Sequence, residues 1–363
     1  VALDPAAALD AADVFALTAA LVDVPSESFA EGPLVDLLEA ELRRVPWLTV
    51  DRVGDNLVAR TTLGRAHRVV LGGHTDTVPA NGNAGARVEG DTLWGLGSAD
   101  MKGGIAILLD LARTVAEPAV DVTYVLYARE EVALVHNGLR ELFAERPELL
   151  EADLAILGEP TDGVVEAGCQ GTMRVRVVLQ GARAHTARPW MGRNAVHRLG
   201  GVLAALEAYE HREPVIAGCR YREALQAVRV EGGVAGNVVP DEAVLVLNHR
   251  FAPDRTVAEA EAHVRAVLAP FLEGGDEVTV EDAAPAAVPG VDHPVLAGLI
   301  ERHGLEVRAK LGWTDVAFFA ERGVPAVNLG PGDATIAHTA GERLERAPLE
   351  RTHALLLDLL THG

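Results

Sequence analysis

Positive charge is scarce in this chain: 32 Lys and Arg stand against 53 Asp and Glu, a formal net charge of −21 over 363 residues. A surface of that sign repels phosphate backbones, and no Lys/Arg stripe with interleaved aromatics offsets it, so nucleic-acid binding is not expected. Cysteine is nearly absent. The two present, Cys169 and Cys219, lie far apart and outside any CxxC, which predicts ordinary buried thiols and suits a reducing cytoplasm. Long apolar runs are also missing: no stretch of about 18 uncharged apolar residues occurs, so no membrane span is expected. Residues 1–12 carry no basic segment ahead of an apolar stretch, and no secretory signal is expected from them.

What is plentiful is apolar residue, 49% of 363, and a chain of that length exceeds what one hydrophobic core usually supports. Two domains are therefore expected. Apolar positions at helical spacing predict helices over 10–21, with Asp10 as N-cap, and over 31–43. Strand-like runs follow at 48–52, 56–60 and 68–71, then a helix over 103–115, a strand over 121–127, a helix over 135–146 and a strand at 154–157. This alternation predicts an α/β domain with a mostly parallel mixed sheet flanked by helices. After Gly168 the rhythm changes, and 172–179 alternates with period two. The series strand, helix (194–209), strand (226–231), strand (244–251), helix (257–268), strand (277–281) has the order of a ferredoxin-like α+β domain. The Ala- and Pro-rich stretch 282–289 reads as a linker, followed by helices at 294–303 and 315–322, a strand at 326–329 and a final helix over 349–361. The expected organisation is a larger domain over 1–170 and 282–363, with a smaller one, 171–281, inserted into it.

Five clusters carry the chemistry: His74-Thr75-Asp76, Asp100, Glu130-Glu131, Glu159 and His338. The run 68–73 leads into His74 and 122–127 leads towards Glu130; sites in open α/β sheets lie at such strand ends. Taken singly, each cluster has an ordinary reading: an HxD in a loop, an acidic pair opening a solvated helix, a Glu-Pro turn, a structural histidine. Together, and beside the glycines of Gly72-Gly73-His74-Thr75-Asp76-Thr77-Val78-Pro79 and Gly95-Leu96-Gly97-Ser98-Ala99-Asp100-Met101-Lys102-Gly103-Gly104, they point to a metal site. Zinc takes imidazole nitrogen and carboxylate oxygen, and two histidines argue against Ca²⁺ or Mg²⁺. His74 and His338 could each serve one ion, a carboxylate such as Asp100 could bridge both, and Glu131 and Glu159 could complete one each. Three carboxylates and one hydroxide neutralise two Zn²⁺, so such a cluster tolerates a cleft floor. Neighbouring side chains at a strand end point in different directions. If Glu131 binds metal, Glu130 is free to take a proton from the attacking water and hand it to a leaving amine. Asp76, two residues after His74, is placed to orient the imidazole.

With these motifs, and with Gly158-Glu159-Pro160-Thr161, Gly168-Cys169-Gln170-Gly171-Thr172 and Ala337-His338-Thr339, the chain resembles the M20 metallopeptidases along nearly its whole length. Among them it resembles the succinyl-diaminopimelate desuccinylases of the actinobacterial type. The resemblance implies a hydrolase with two Zn²⁺ per subunit, Co²⁺ being able to substitute. One ion would be held by His74, Asp100 and Glu159, and the other by Asp100, Glu131 and His338, with Glu130 as general acid/base and Asp76 behind His74. It also implies a cis peptide at Asp100-Met101, a homodimer, and an inserted domain that serves as dimerisation lid. His185 of that lid would stabilise the oxyanion in the partner subunit's site. Asn237, Arg250 and Thr314 match substrate-binding positions, Thr314 on a loop of the larger domain, while Arg188 and Arg193 are either extra anion contacts or plain surface arginines. One departure stands out: Gln170 occupies a position where many relatives carry arginine. The implied reaction is hydrolysis of N-succinyl-LL-2,6-diaminopimelate to LL-2,6-diaminopimelate and succinate, a cytoplasmic step of lysine and cell-wall precursor synthesis. Acetylornithine deacetylase or small-peptide carboxypeptidase activity is the alternative.

Overall fold

The computed structural model describes residues 13–363. Asp10, the expected first N-cap, lies outside them; the described helix Val14–Val22 is capped by Asp13, whose carboxylate accepts from the Phe15 N–H at 2.9 Å. The chain forms two compact units. The larger takes the chain through Ala167, then Gly290–Arg308 and Phe318–Gly363; the smaller is Gly168–Pro289 with Ala309–Ala317.

The larger unit is built on an eight-stranded sheet in the order Thr49–Val53, Asn56–Arg60, Asp121–Tyr127, Arg68–His74, Leu154–Leu157, Ala326–Asn328, Val165–Ala167, Val307–Ala309. Four inner strands, from Asp121–Tyr127 to Ala326–Asn328, run parallel. Their neighbours on either side pair antiparallel, so the sheet is mixed with a parallel centre. The reason is in the residues. Asp121–Tyr127 is buried at every position, as is the wholly apolar Leu154–Leu157, and strands buried on both sides suit a sheet covered on both faces. The helix Gly103–Thr114 is apolar nearly all round, with Ile105, Ile107, Leu108, Leu109 and Leu111 buried, as a helix packed inside a core must be.

The smaller unit holds a four-stranded antiparallel sheet in the order Ala224–Gly232, Glu242–Phe251, Gly171–Gln180, Glu277–Ala284. Helices Ala195–Glu207 and Val257–Leu268 cover one face, where Met173, Val175, Val177, Leu245 and Leu247 pack with Leu199, Val202, Val264 and Leu268. Strand periodicity sends the alternate residues Thr172, Arg174 and Arg176, and Asn248 and Arg250, to the helix-free face. Both cysteines are buried free thiols. Among the described residues, no helix is long and apolar enough to cross a membrane.

Three expectations from sequence change. The helix placed at 135–146 is Gly138–Glu145, because the Asn137 side chain accepts from the Leu139 and Arg140 N–H groups and starts the helix there. The stretch read as a linker from 282 begins as strand: pairing with Gly171–Gln180 resumes after an irregularity between Val280 and Asp282 and continues to Ala284. Thr314, expected on a loop of the larger domain, belongs to the smaller unit. Its segment is tied there by Gln170 N–H to Lys310 O at 3.2 Å and by Trp313 Nε1–H to Pro285 O at 3.1 Å.

Candidate metal centre

Three adjacent parallel strands deliver acidic and imidazole side chains to one edge of the sheet. Arg68–His74 ends on His74 itself, Asp121–Tyr127 runs on to Glu130 and Glu131, and Leu154–Leu157 runs on to Glu159. Asp100 arrives on Ser98–Lys102, whose Asp100-Met101 peptide is cis, and His338 on a loop where its own φ is 62°. Glycine makes the convergence possible. The His74 N–H lies 3.2 Å from Met101 Sδ, and a Cβ on Gly73 would overlap Met101 Cε, while one on Gly104 would lie 2.6 Å from the Gly158 carbonyl oxygen. The glycines of both motifs therefore serve close backbone approach.

Asp100 sits between the two histidines, one oxygen to each. Its Oδ1 is 3.1 Å from His74 Nε2 and its Oδ2 is 3.4 Å from His338 Nε2. Glu131 Oε1 lies 2.7 Å from His338 Nε2, and Glu159 Oε1 lies 3.9 Å from His74 Nε2. Donor atoms of His74, Asp100 and Glu131 all fall within 4.8 Å of one another. The electrostatics are strongly negative. Burial by itself would lower His74, yet the hydrogen bonds to Asp100 and Asp76 and the charge of Glu159 outweigh it and raise its pKa well above the usual imidazole value. Hydrogen bonds to Asp100 and Glu131 lift His338 to about 10. Burial opposes ionisation of Asp100, but the two histidines hold its carboxyl below the usual carboxylate range. A pocket this rich in carboxylate oxygen calls for positive charge, and its carboxylate and imidazole donor set fits a divalent metal of zinc type.

Asp76 does more than stand behind His74. The His74 Nδ1 is 3.0 Å from the Asp76 backbone oxygen and 3.5 Å from its carboxylate, which leaves Nε2 facing Asp100. The carboxylate itself accepts from the Glu130 N–H at 2.9 Å, the Glu131 N–H at 3.1 Å and the Ser28 hydroxyl at 2.7 Å. One side chain thus ties the loop of the acidic pair to the strand end of His74. Two contributors escaped the sequence reading. Ser28 is one, and Glu342 is the other: its Oε1 accepts from the Ala99 and Asp100 N–H groups at 3.1 and 3.2 Å. Burial pushes the Glu342 carboxyl up to about 6. Its place four residues after His338, in Ala340-Gly341-Glu342, was the available signal.

The remaining predicted residues lie in the smaller unit. His185 is exposed, and its Nδ1 accepts from the Ala187 N–H at 3.0 Å, so Nε2 carries the hydrogen of the neutral ring and is a donor. Asn237 neighbours it through Thr186 N–H to Asn237 O at 3.1 Å. Arg250 Nε donates to Asn248 Oδ1 at 3.2 Å, and Thr314 is buried. Gln170 is buried with its amide donating to the Arg222 carbonyl at 2.7 Å. Arg193 pairs with Glu273 at the surface, and Arg188 is exposed.

The loop carrying Glu159 gives a first prediction. A Cβ on Gly330 would overlap the Gly158 and Glu159 carbonyl oxygens, and the Gly330 backbone exchanges bonds with Thr161, its N–H to Thr161 Oγ1 at 3.2 Å. Gly330→Ala is expected to push Glu159 out of register and weaken metal binding by about 10–100-fold, the loss typical when support for a ligand is removed. Competition with a chromophoric chelator measures it; wild-type affinity in a folded variant would overturn it.

Comparison with known proteins identifies the family. A Mycobacterium tuberculosis protein named as a candidate succinyl-diaminopimelate desuccinylase is 52% identical over 335 residues, 92% of this chain and 93% of its own. The succinyl-diaminopimelate desuccinylase of Corynebacterium glutamicum is 46% identical over 345 residues, 93% of each chain. The crystal structure of a tripeptidase from Staphylococcus aureus superposes with a TM-score of 0.78 at 23% identity, covering 96% of both chains, and so shares the fold. Residues 70–362 match the profile of peptidase family M20/M25/M40, and the chain belongs to that family.

Proposed function

We propose that this protein is a two-metal amide hydrolase that cleaves N-succinyl-LL-2,6-diaminopimelate to LL-2,6-diaminopimelate and succinate. The observation that carries the chemistry is Asp100, with one carboxylate oxygen towards His74 and the other towards His338, as a ligand shared by two ions requires. The identity of 46–52% to desuccinylases over nine-tenths of the chain supports the substrate. Two Zn²⁺ per subunit, or Co²⁺ in their place, would be held by His74, Asp100 and Glu159 and by Asp100, Glu131 and His338. Bound there, they would lower the pKa of a water and polarise the scissile carbonyl. Glu130 then accepts the attacking water's proton and returns it to the departing amine. Asp76 keeps Glu130 in place through its backbone N–H.

The active form is a cytoplasmic homodimer, with His185 of each lid donating from Nε2 to the oxyanion in the other subunit's site. The long exposed edge strand Ala224–Gly232, with Val228 and Val230 outward, supports association through the smaller unit. Asn237, Arg250 and Thr314 hold the substrate. Mixing inactive His185→Ala protein with inactive Glu130→Ala protein is expected to restore part of the activity; no recovery after confirmed subunit exchange would remove the role in trans. Turnover of the zinc-loaded protein on N-succinyl-LL-diaminopimelate, N-acetylornithine and a dipeptide, side by side, tests the substrate. A preference for acetylornithine or the dipeptide would replace the present reading with deacetylase or carboxypeptidase activity.

A further inference from the structure

A substrate bearing several carboxylates needs cations, and Gln170 supplies none: its buried amide is committed to the Arg222 carbonyl. Most arginines of the smaller unit are committed as well. Arg212 pairs with Glu223 and Asp254, Arg198 with Asp276, Arg183 with Asp241, Arg222 with Glu213 and Arg229 with Glu231. Arg174 and Arg250 differ. Among the described residues neither has a carboxylate within ion-pair distance, a property shared in the smaller unit with Arg176 and Arg188, in a chain where acids outnumber bases by 53 to 32.

Their placement is specific. On the helix-free face of the sheet, Arg174 stands directly across from Asn248 and Arg250 directly across from Thr172, so the two arginines are diagonal neighbours. Such diagonal positions lie about 7–8 Å apart at their backbones, within reach of each other for side chains of this length. Arg250 Nε donates to Asn248 Oδ1 at 3.2 Å, and the Asn248 amide donates to Thr172 Oγ1 at 3.4 Å, which orients the guanidinium and, among the described residues, leaves its two terminal nitrogens uncommitted. On the other side, Asp282 is paired with Arg174 in register yet makes no ion pair with it. Burial lowers the pKa of Arg250, and the nearby charge of Arg174 lowers it further, so the two cations feel each other. Two like charges held on one face with no internal counter-ion form a seat that an anion relieves.

We propose that Arg174 is a specificity residue that seats, together with Arg250, a carboxylate of the substrate on the helix-free face of the smaller unit's sheet. The inference rests on the desuccinylase reading and deepens it: Arg174 takes the role that arginine at the position of Gln170 would otherwise fill.

Steady-state kinetics of wild type, Arg174→Gln, Arg174→Lys and Arg176→Gln test this on three substrates. They are N-succinyl-LL-diaminopimelate, N-acetyl-LL-diaminopimelate, which lacks the acyl carboxylate, and N-succinyl-1,5-diaminopentane, which lacks the amine-side carboxylates. For the full substrate, Arg174→Gln is expected to raise KM about 10- to 100-fold, the worth of a charge-assisted pair, with kcat changed less than about twofold. Arg174→Lys recovers part of the loss and Arg176→Gln behaves as wild type. One truncated substrate becomes insensitive to Arg174→Gln, which identifies the carboxylate bound. An unchanged KM for the full substrate, or an equal rise on both truncated ones, would overturn the seat. Wild type inactive on every succinyl compound would instead sink the proposed reaction. Calorimetric binding of succinate and LL-diaminopimelate then still decides the seat, which stands if Arg174→Gln abolishes binding and falls if both proteins bind equally.

Discussion

Glu130→Gln is expected to lower kcat by about 10²–10⁴-fold, the usual worth of a general acid/base, while KM and metal content stay at wild-type values. The substitution is nearly isosteric and leaves the backbone anchor intact, since the Glu130 N–H still donates to Asp76 Oδ1 at 2.9 Å. What it removes is the ability to accept a proton. Glu131→Ala is the matched contrast. Its Oε1 lies 2.7 Å from His338 Nε2, within the donor cluster, so truncation there is expected to lose metal first and activity as a consequence. Metal analysis after gel filtration, alongside kcat and KM, separates the two effects. Equal metal loss in both variants would show that the roles within the acidic pair are reversed.

How much of this was legible in the sequence depends on the range of the forces involved. The helix Val257–Leu268 and the strand Leu154–Leu157 were placed to the residue, because their signals are local. Thr256 and Glu259 form a capping box at the start of the helix, and the strand is an unbroken apolar run. Non-local pairing was harder to see. Nothing in Asp282-Ala283-Ala284 says strand until the partner residues Thr172 to Arg174 are known. The metal-type residues were visible because their side chains are chemically distinctive. Their supports were not, because most of those bonds end on backbone. Asp76 binds two N–H groups 54 and 55 residues away, Glu342 binds two that lie 243 and 242 residues earlier, and Gln170 binds a carbonyl. Any residue type offers such groups, so spacing alone carries no trace of them. The same holds for Thr314, whose segment joins the smaller unit through the backbone carbonyls of Lys310 and Pro285.

Asp100→Asn is expected to reduce bound metal from two ions to at most one per subunit, and to cut kcat/KM by more than the about 10–100-fold that loss of an outer partner costs. The reasoning is geometric and electrostatic together. Asp100 presents Oδ1 to the His74 side and Oδ2 to the His338 side, and the amide of asparagine can offer an acceptor oxygen to only one of them while turning a donor towards the other. On the two-metal reading it also removes one of the three carboxylate charges that, with a hydroxide, would balance two divalent ions. The loop itself should hold its shape, because Glu342 grips the Ala99 and Asp100 backbone N–H groups rather than the side chain. Asp76→Asn makes the comparison sharp. It too removes one buried charge, yet Asp76 reaches the cluster only through the His74 ring and the Glu130 and Glu131 backbone. Its loss is expected to stay within the 10–100-fold typical of an outer partner, about one to two orders of magnitude, with both ions still bound. Zinc titration with competing chelator, run on both variants beside kcat/KM at saturating metal, reads the difference. Two tightly held ions in Asp100→Asn would show that Asp100 is not shared between them, and its role as the bridging ligand would fall.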